Sequence, residues 1–129
     1  MKYLILFLIG IAVGALGATS AVNALARSHA WQRGLMEVMQ HEYGGLRDAV
    51  RSGRCAAPTR EKLWLGQLTA EVEPAFYPDS PPDAPFREYT QRLRESIASL
   101  PDAATDCSAL APVVTRIGND CEACHRQYR

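Results

Sequence analysis

Lysine is nearly missing from this chain: Lys2 and Lys62 are the only two, and every other basic residue is arginine. Basic and acidic residues balance at 14 each over 129 residues, and no run of lysine or arginine occurs. That removes the field by which a protein is drawn to nucleic acid. Period-two alternation is also missing. Past residue 28 no stretch of four or more residues alternates apolar and polar, which excludes half-buried strands. Charge is absent from Tyr3 to Ala26, an uncharged run of 24 residues behind Lys2. It ends in Ala24-Leu25-Ala26, small residues at the spacing a signal peptidase reads, so export is expected. Two fates stay open: cleavage there, or retention of residues 3–26 as a membrane anchor, in which Gly10, Gly14 and Gly17 suit helix packing. The expected organisation is a signal peptide or anchor over 1–26 and one domain over 27–129, large enough for a single core.

What is present in the domain is helical periodicity, so the fold class is all-α. The first helix runs from roughly Ser28 to Ser52, with Trp31, Leu35, Val38, Met39, Tyr43, Leu46 and Val50 on one stripe and Met36 at its edge. Gly53 closes it. The pair Gly44-Gly45 inside it costs about 1 kcal/mol per residue relative to alanine, which implies a close approach by a neighbouring helix or a local bend. A second helix is expected from an N-cap at Thr59 to Phe76, presenting Trp64, Leu65, Leu68, Val72 and Phe76, with Pro74 loosening its last turn. Tyr77 to Pro85 holds four prolines and two aspartates and reads as the longest loop. The third helix spans Ala84 to Leu100 and ends at Pro101. A final stripe of Leu110, Val113 or Val114, Ile117, Cys121, Cys124 and Tyr128 puts both cysteines on the buried side of the fourth.

Four such helices with short links make an antiparallel up-down-up-down bundle. In that topology the first and third links share one end, so Cys55 and Cys107 become neighbours and a disulfide between them is expected. Fourteen residues separate Cys107 from Cys121 and seventeen separate Gly53 from Met36. At about 1.5 Å rise per residue, Met36 and the Cys121 to His125 segment then lie at similar depth.

Cys121-Glu122-Ala123-Cys124-His125 is the pattern of covalent haem attachment. Two thiols three apart share a helix face, where they can add to the two vinyl groups on one porphyrin edge, and the next imidazole can ligate iron. A zinc site would need two more ligands at ligand spacing, which Cys55 and Cys107 do not offer. A thioredoxin-like pair would need the motif to open a helix after a strand; here it ends a helix. Met39 sits centrally on its stripe and reads as core. His29 and His41 are expected in solvent, and Arg33, about a turn from Met36, is a candidate partner for a haem propionate.

Ile117 through the haem motif to Arg126-Gln127-Tyr128-Arg129 resembles the close of class II cytochromes c, the cytochrome c′ family. Leu35-Met36-Glu37-Val38-Met39-Gln40-His41-Glu42-Tyr43-Gly44 resembles that family's first helix, and Phe76-Tyr77-Pro78-Asp79 the loop after its second. The resemblance implies a four-helix bundle with one haem c near one end and a homodimer as one assembly state. It implies a distal position on the first helix, filled by methionine in low-spin electron carriers and by an apolar side chain in high-spin members; Met36 falls there. A thioether saturates the sixth site and raises the potential, favouring electron transfer. The expectation is a periplasmic monohaem electron carrier with Met36 and His125 as axial ligands, exchanging electrons with redox partner proteins and turning over no substrate. The alternative is a five-coordinate protein binding nitric oxide or carbon monoxide. A Cys55–Cys107 disulfide departs from the family pattern.

Overall fold

The computed structural model describes residues 2–103 and 106–128, without the side chains of residues 2–6 and 24–28. Its described residues form five α-helices and no strand: α1 (Lys2–Ser28), α2 (Ala30–Arg51), α3 (Thr59–Phe76), α4 (Ala84–Ala98) and α5 (Cys107–Gln127). The chain falls into two compact units, Met1–Arg33 and Gly34–Arg129.

In the first unit the described apolar side chains of α1, such as Phe7, Ile9, Val13 and Leu16, are all exposed. The Thr19 and Ser20 hydroxyls are satisfied within the helix, donating to the carbonyls of Ala15 and Leu16. Among the described residues no helix is long and apolar enough to cross a membrane. Part of the expected span, and the Ala24-Leu25-Ala26 segment, lie outside the described side chains. Trp31 is exposed, so it does not belong to the packed stripe the sequence suggests.

In the second unit the core is built from one face of each helix: Leu35, Met39 and Leu46 from α2, Leu65, Val72 and Ala75 from α3, Phe86, Leu93 and Ile97 from α4, Leu110, Val114 and Ile117 from α5. Burial of each large member contributes about 1.5–3 kcal/mol. Val38, Trp64 and Phe76 are partly exposed, and Thr69, Thr90 and Ser96 are buried instead. Each hydroxyl finds an acceptor, as a buried polar group must. Thr69 donates to the Leu65 carbonyl at 2.6 Å, Thr90 to Glu73 at 2.6 Å and Ser96 to Asp120 at 2.6 Å. Glu73 also pairs with Arg94 at 2.9 Å, joining α3 to α4, while Ser96–Asp120 joins α4 to α5. The buried Glu42 of α2 faces Arg60 of α3 at 3.1 Å.

The helix ends follow from local chemistry. Gly53, at φ 68°, takes the left-handed conformation that ends α2. The N-cap of α3 is Pro58 rather than Thr59, and no side chain caps it. Asp83 caps α4, accepting from the Phe86 N–H at 2.7 Å, and Asp106 caps α5 through the Ala109 N–H at 2.9 Å. The α2–α3 link meets the start of α5 through the disulfide Cys55–Cys107, with Cα atoms 5.3 Å apart. Nearby in sequence, Lys62 donates to the Leu100 carbonyl at 2.8 Å and pairs with Asp102 at 2.6 Å, tying the start of α3 to the end of α4.

Asp83 is more than a cap. It also accepts from the Tyr128 hydroxyl at 2.7 Å, joining the start of α4 to the end of α5, where Phe86 and Tyr128 pack edge to face. The Tyr128 bond and the Phe86 N–H hold the Asp83 carboxyl below its usual 3.8, and the Asp83 bond pushes the Tyr128 phenol up to about 12. A depressed carboxyl contributes stability that is complete above 3.8 and lost as pH falls through the lower folded-state value. A raised phenol contributes stability that is lost as pH rises towards about 12. Asp83→Ala should therefore lower Tm at neutral pH and flatten both limbs of the plot of Tm against pH, measured by circular dichroism.

Candidate haem site

The chemistry-bearing residues converge through two helices. On α2, Met36, Met39, Gln40 and Tyr43 follow one another at helical spacing; on α5, Ile117, Cys121, Cys124 and His125 do the same. Together they line one cavity of about 620 Å³, counting its open mouth. Leu65 and Val72 of α3 and Leu93 and Ile97 of α4 complete its apolar wall. Its lining is mostly apolar with a few placed polar groups, as in small-molecule and cofactor sites.

Cys121 and Cys124 are both free and half-buried, so they are not joined to each other while Cys55 and Cys107 are. Burial, with Asp120 and Cys124 nearby, pushes the Cys121 thiol up to about 11. Burial raises Cys124 as well, opposed by Arg92. Redox-active CxxC pairs depend on a stabilised thiolate at a helix N-terminus. Here both thiols keep their protons at neutral pH and lie in the last two turns of α5. The site therefore lacks the electrostatics of a disulfide oxidoreductase.

His125 is exposed at the cavity rim, and Met36 is partly buried against the core. Met39 is buried among core residues, as its central position on the stripe suggests. His41 and His29 are exposed. Arg33 is exposed and belongs to the N-terminal unit. Arg126 is exposed and pairs with Glu122 at 3.0 Å; Arg129 lies outside the described residues.

Comparison with protein-family models, with curated proteins and with solved structures finds no match to this chain. The assignment of the site therefore rests on its residues. Among the described residues no three His, Cys, Asp or Glu side chains are grouped to hold a bare metal ion. What the cavity offers is one imidazole, the thioethers of Met36 and Met39, and two free thiols on a largely apolar wall. That set fits a flat apolar cofactor carrying its own metal: Cys121 and Cys124 could hold it covalently, and His125 and Met36 could ligate its metal.

Three residues of the site do not stand out in the sequence. Tyr43 reads only as a stripe residue, yet it lines the cavity and lies near Cys121. Gly118 receives the Tyr43 hydroxyl directly against its backbone. Asp120 holds its carboxylate beside Cys121 and accepts from Ser96. A lone glycine seven residues before His125 is the one signal the sequence offers for this arrangement. Gly44 and Gly45, whose pairing implies a close approach, have nothing within 4 Å of the point where a Cβ would stand, so no helix comes close there.

Proposed function

We propose that the chain is a monohaem c-type cytochrome of the class II, cytochrome c′-like kind, transferring electrons between partner proteins in the periplasm. One observation carries this reading: Met36, Cys121, Cys124 and His125, brought from two helices, all border the same apolar cavity. An antiparallel up-down-up-down arrangement of α2 to α5 is the topology we assign. It is supported by the Cys55–Cys107 bond at one end, the Lys62–Asp102 pair beside it in sequence, and the Tyr128–Asp83 bond joining the end of α5 to the start of α4.

In this assignment Cys121 and Cys124 would hold haem covalently as thioethers, each S–H adding across a vinyl group with no oxidant needed, and His125 would supply a nitrogen to its iron. When bound, haem supplies an iron that gains and loses one electron. Met36 would offer that iron a soft sulfur, a ligand that favours the ferrous state and disfavours binding of small gases. Leu65, Leu93, Ile97 and Ile117 hold water away from the site, so little solvent reorganises as charge changes.

The test is the optical spectrum and reduction potential of the mature protein beside those of Met36→Ala. The parent should be low-spin in both oxidation states and indifferent to carbon monoxide. Met36→Ala should become high-spin, bind carbon monoxide and lose roughly 100 mV or more, since axial ligands tune haem potentials over about 0.8 V. A parent that is high-spin when reduced and takes up carbon monoxide rapidly would exchange this reading for gas binding.

A further inference from the structure

We infer that the Tyr43–Gly118 contact sets the register of α2 against α5, and that Gly118 is thereby a positioning residue for the Met36/His125 pair; this rests on the haem reading above. Of the glycines, Gly118 alone has a neighbour where a Cβ would sit: the Tyr43 hydroxyl, with Cζ 3.1 Å away. A side chain there would meet the ring, so the phenol end and the bare helix backbone fit each other by shape. Arg47 stacks over the same ring at 5.8 Å, bracing its outer side.

The spacing gives this contact its consequence. Met36 precedes Tyr43 by seven residues, and His125 follows Gly118 by seven. Seven residues are close to two turns and about 10.5 Å of rise, so each ligand lies on the same face as its gauge residue. The Cys55–Cys107 bond ties the segment after α2 to the start of α5. In the antiparallel bundle we assign, backwards along α2 and forwards along α5 are then the same direction in space. Equal steps from one contact then bring Met36 and His125 to one level beside the cavity they both line. A slip of one residue would move Met36 by about 1.5 Å and turn it about 100° away.

The experiment compares Gly118→Ala, Gly118→Ala with Tyr43→Phe, and Tyr43→Leu, expressed as full chains with haem maturation. Haem content is read by intact mass, and Met36 ligation by the methionine-to-ferric-iron charge-transfer band, potential and carbon monoxide uptake. Gly118→Ala should keep its covalent haem while the ligated fraction, set against the open form, falls roughly tenfold, a register penalty of about 1.4 kcal/mol. Tyr43→Phe in that background removes the oxygen that meets the new methyl and should restore most of the band, which a general loss of stability would not do. If Gly118→Ala fails to fold, Tyr43→Leu decides alone: a weakened band supports the gauge and an unchanged band overturns it. A parent-like band and potential in Gly118→Ala, or no recovery in the double variant, also overturns it. A parent without covalent haem, or without the methionine band, would instead sink the haem reading itself.

Discussion

Cys121→Ala combined with Cys124→Ala should abolish covalent haem altogether, the largest effect expected of any change in this chain. Both thiols lie on the cavity wall beside His125, and neither is committed to a disulfide. With both gone, no sulfur remains there to form a thioether, because Cys55 and Cys107 are spent on each other. Denaturing gels stained for haem, with intact mass, should show full attachment in the parent and none in the double variant. Each single variant should retain one link and a vinyl group that alters the spectrum. Because ligand binding stabilises the folded state by mass action, the double variant should also melt lower than the parent. A double variant that still carries haem through denaturation would remove the basis for the assignment.

Opening the other cysteine pair should leave haem in place and act on stability. Cys55 and Cys107 are 52 residues apart in sequence. In the chain-entropy account a closed loop of that length stabilises a fold by about 4 kcal/mol. Small domains have only about 5–15 kcal/mol in total, so Cys55→Ser with Cys107→Ser should sacrifice a large part of it. Urea titration followed by circular dichroism would measure the loss. The expected result is a lower midpoint with a slightly larger m, since the reduced chain unfolds to a more open ensemble. A midpoint unchanged from the parent would mean that the remaining packing carries the fold without this cross-link.

The contrast between these predictions mirrors what the sequence makes readable. The Cys121 to His125 motif is local, five consecutive residues, and so is legible directly as a pattern. Helix limits were legible where punctuation is strong: Gly53, Pro85 and Pro101 bound α2 and α4 close to where the structure places them. The Cys55–Cys107 pairing followed from topology rather than from any local pattern, and the disulfide is present. Periodicity was less informative about which edge of a stripe faces inward. Trp31, Val38 and Trp64 lie on the apolar side by count but are exposed, while Thr69, Thr90 and Ser96 occupy interior places that their hydrogen bonds make tolerable. Thr59 looks like a cap by composition, yet the capping position falls one residue earlier, at Pro58. Gly118 was illegible for a different reason. Its purpose is set by a ring on another helix, distant in sequence, and no property of its neighbours announces that partner.

The scarcity of lysine has a practical corollary in the corner where Lys62 sits. If the first 26 residues are removed, Lys62 carries the sole side-chain amine left on the chain. That amine is held by the Leu100 carbonyl and Asp102. An acylating reagent would therefore tag one side chain beside the new α-amine, at a rate governed by how often that corner loosens. In the bundle we assign, Lys62 lies towards the disulfide end, so a surface-immobilised molecule would present the Met36 and His125 end outward.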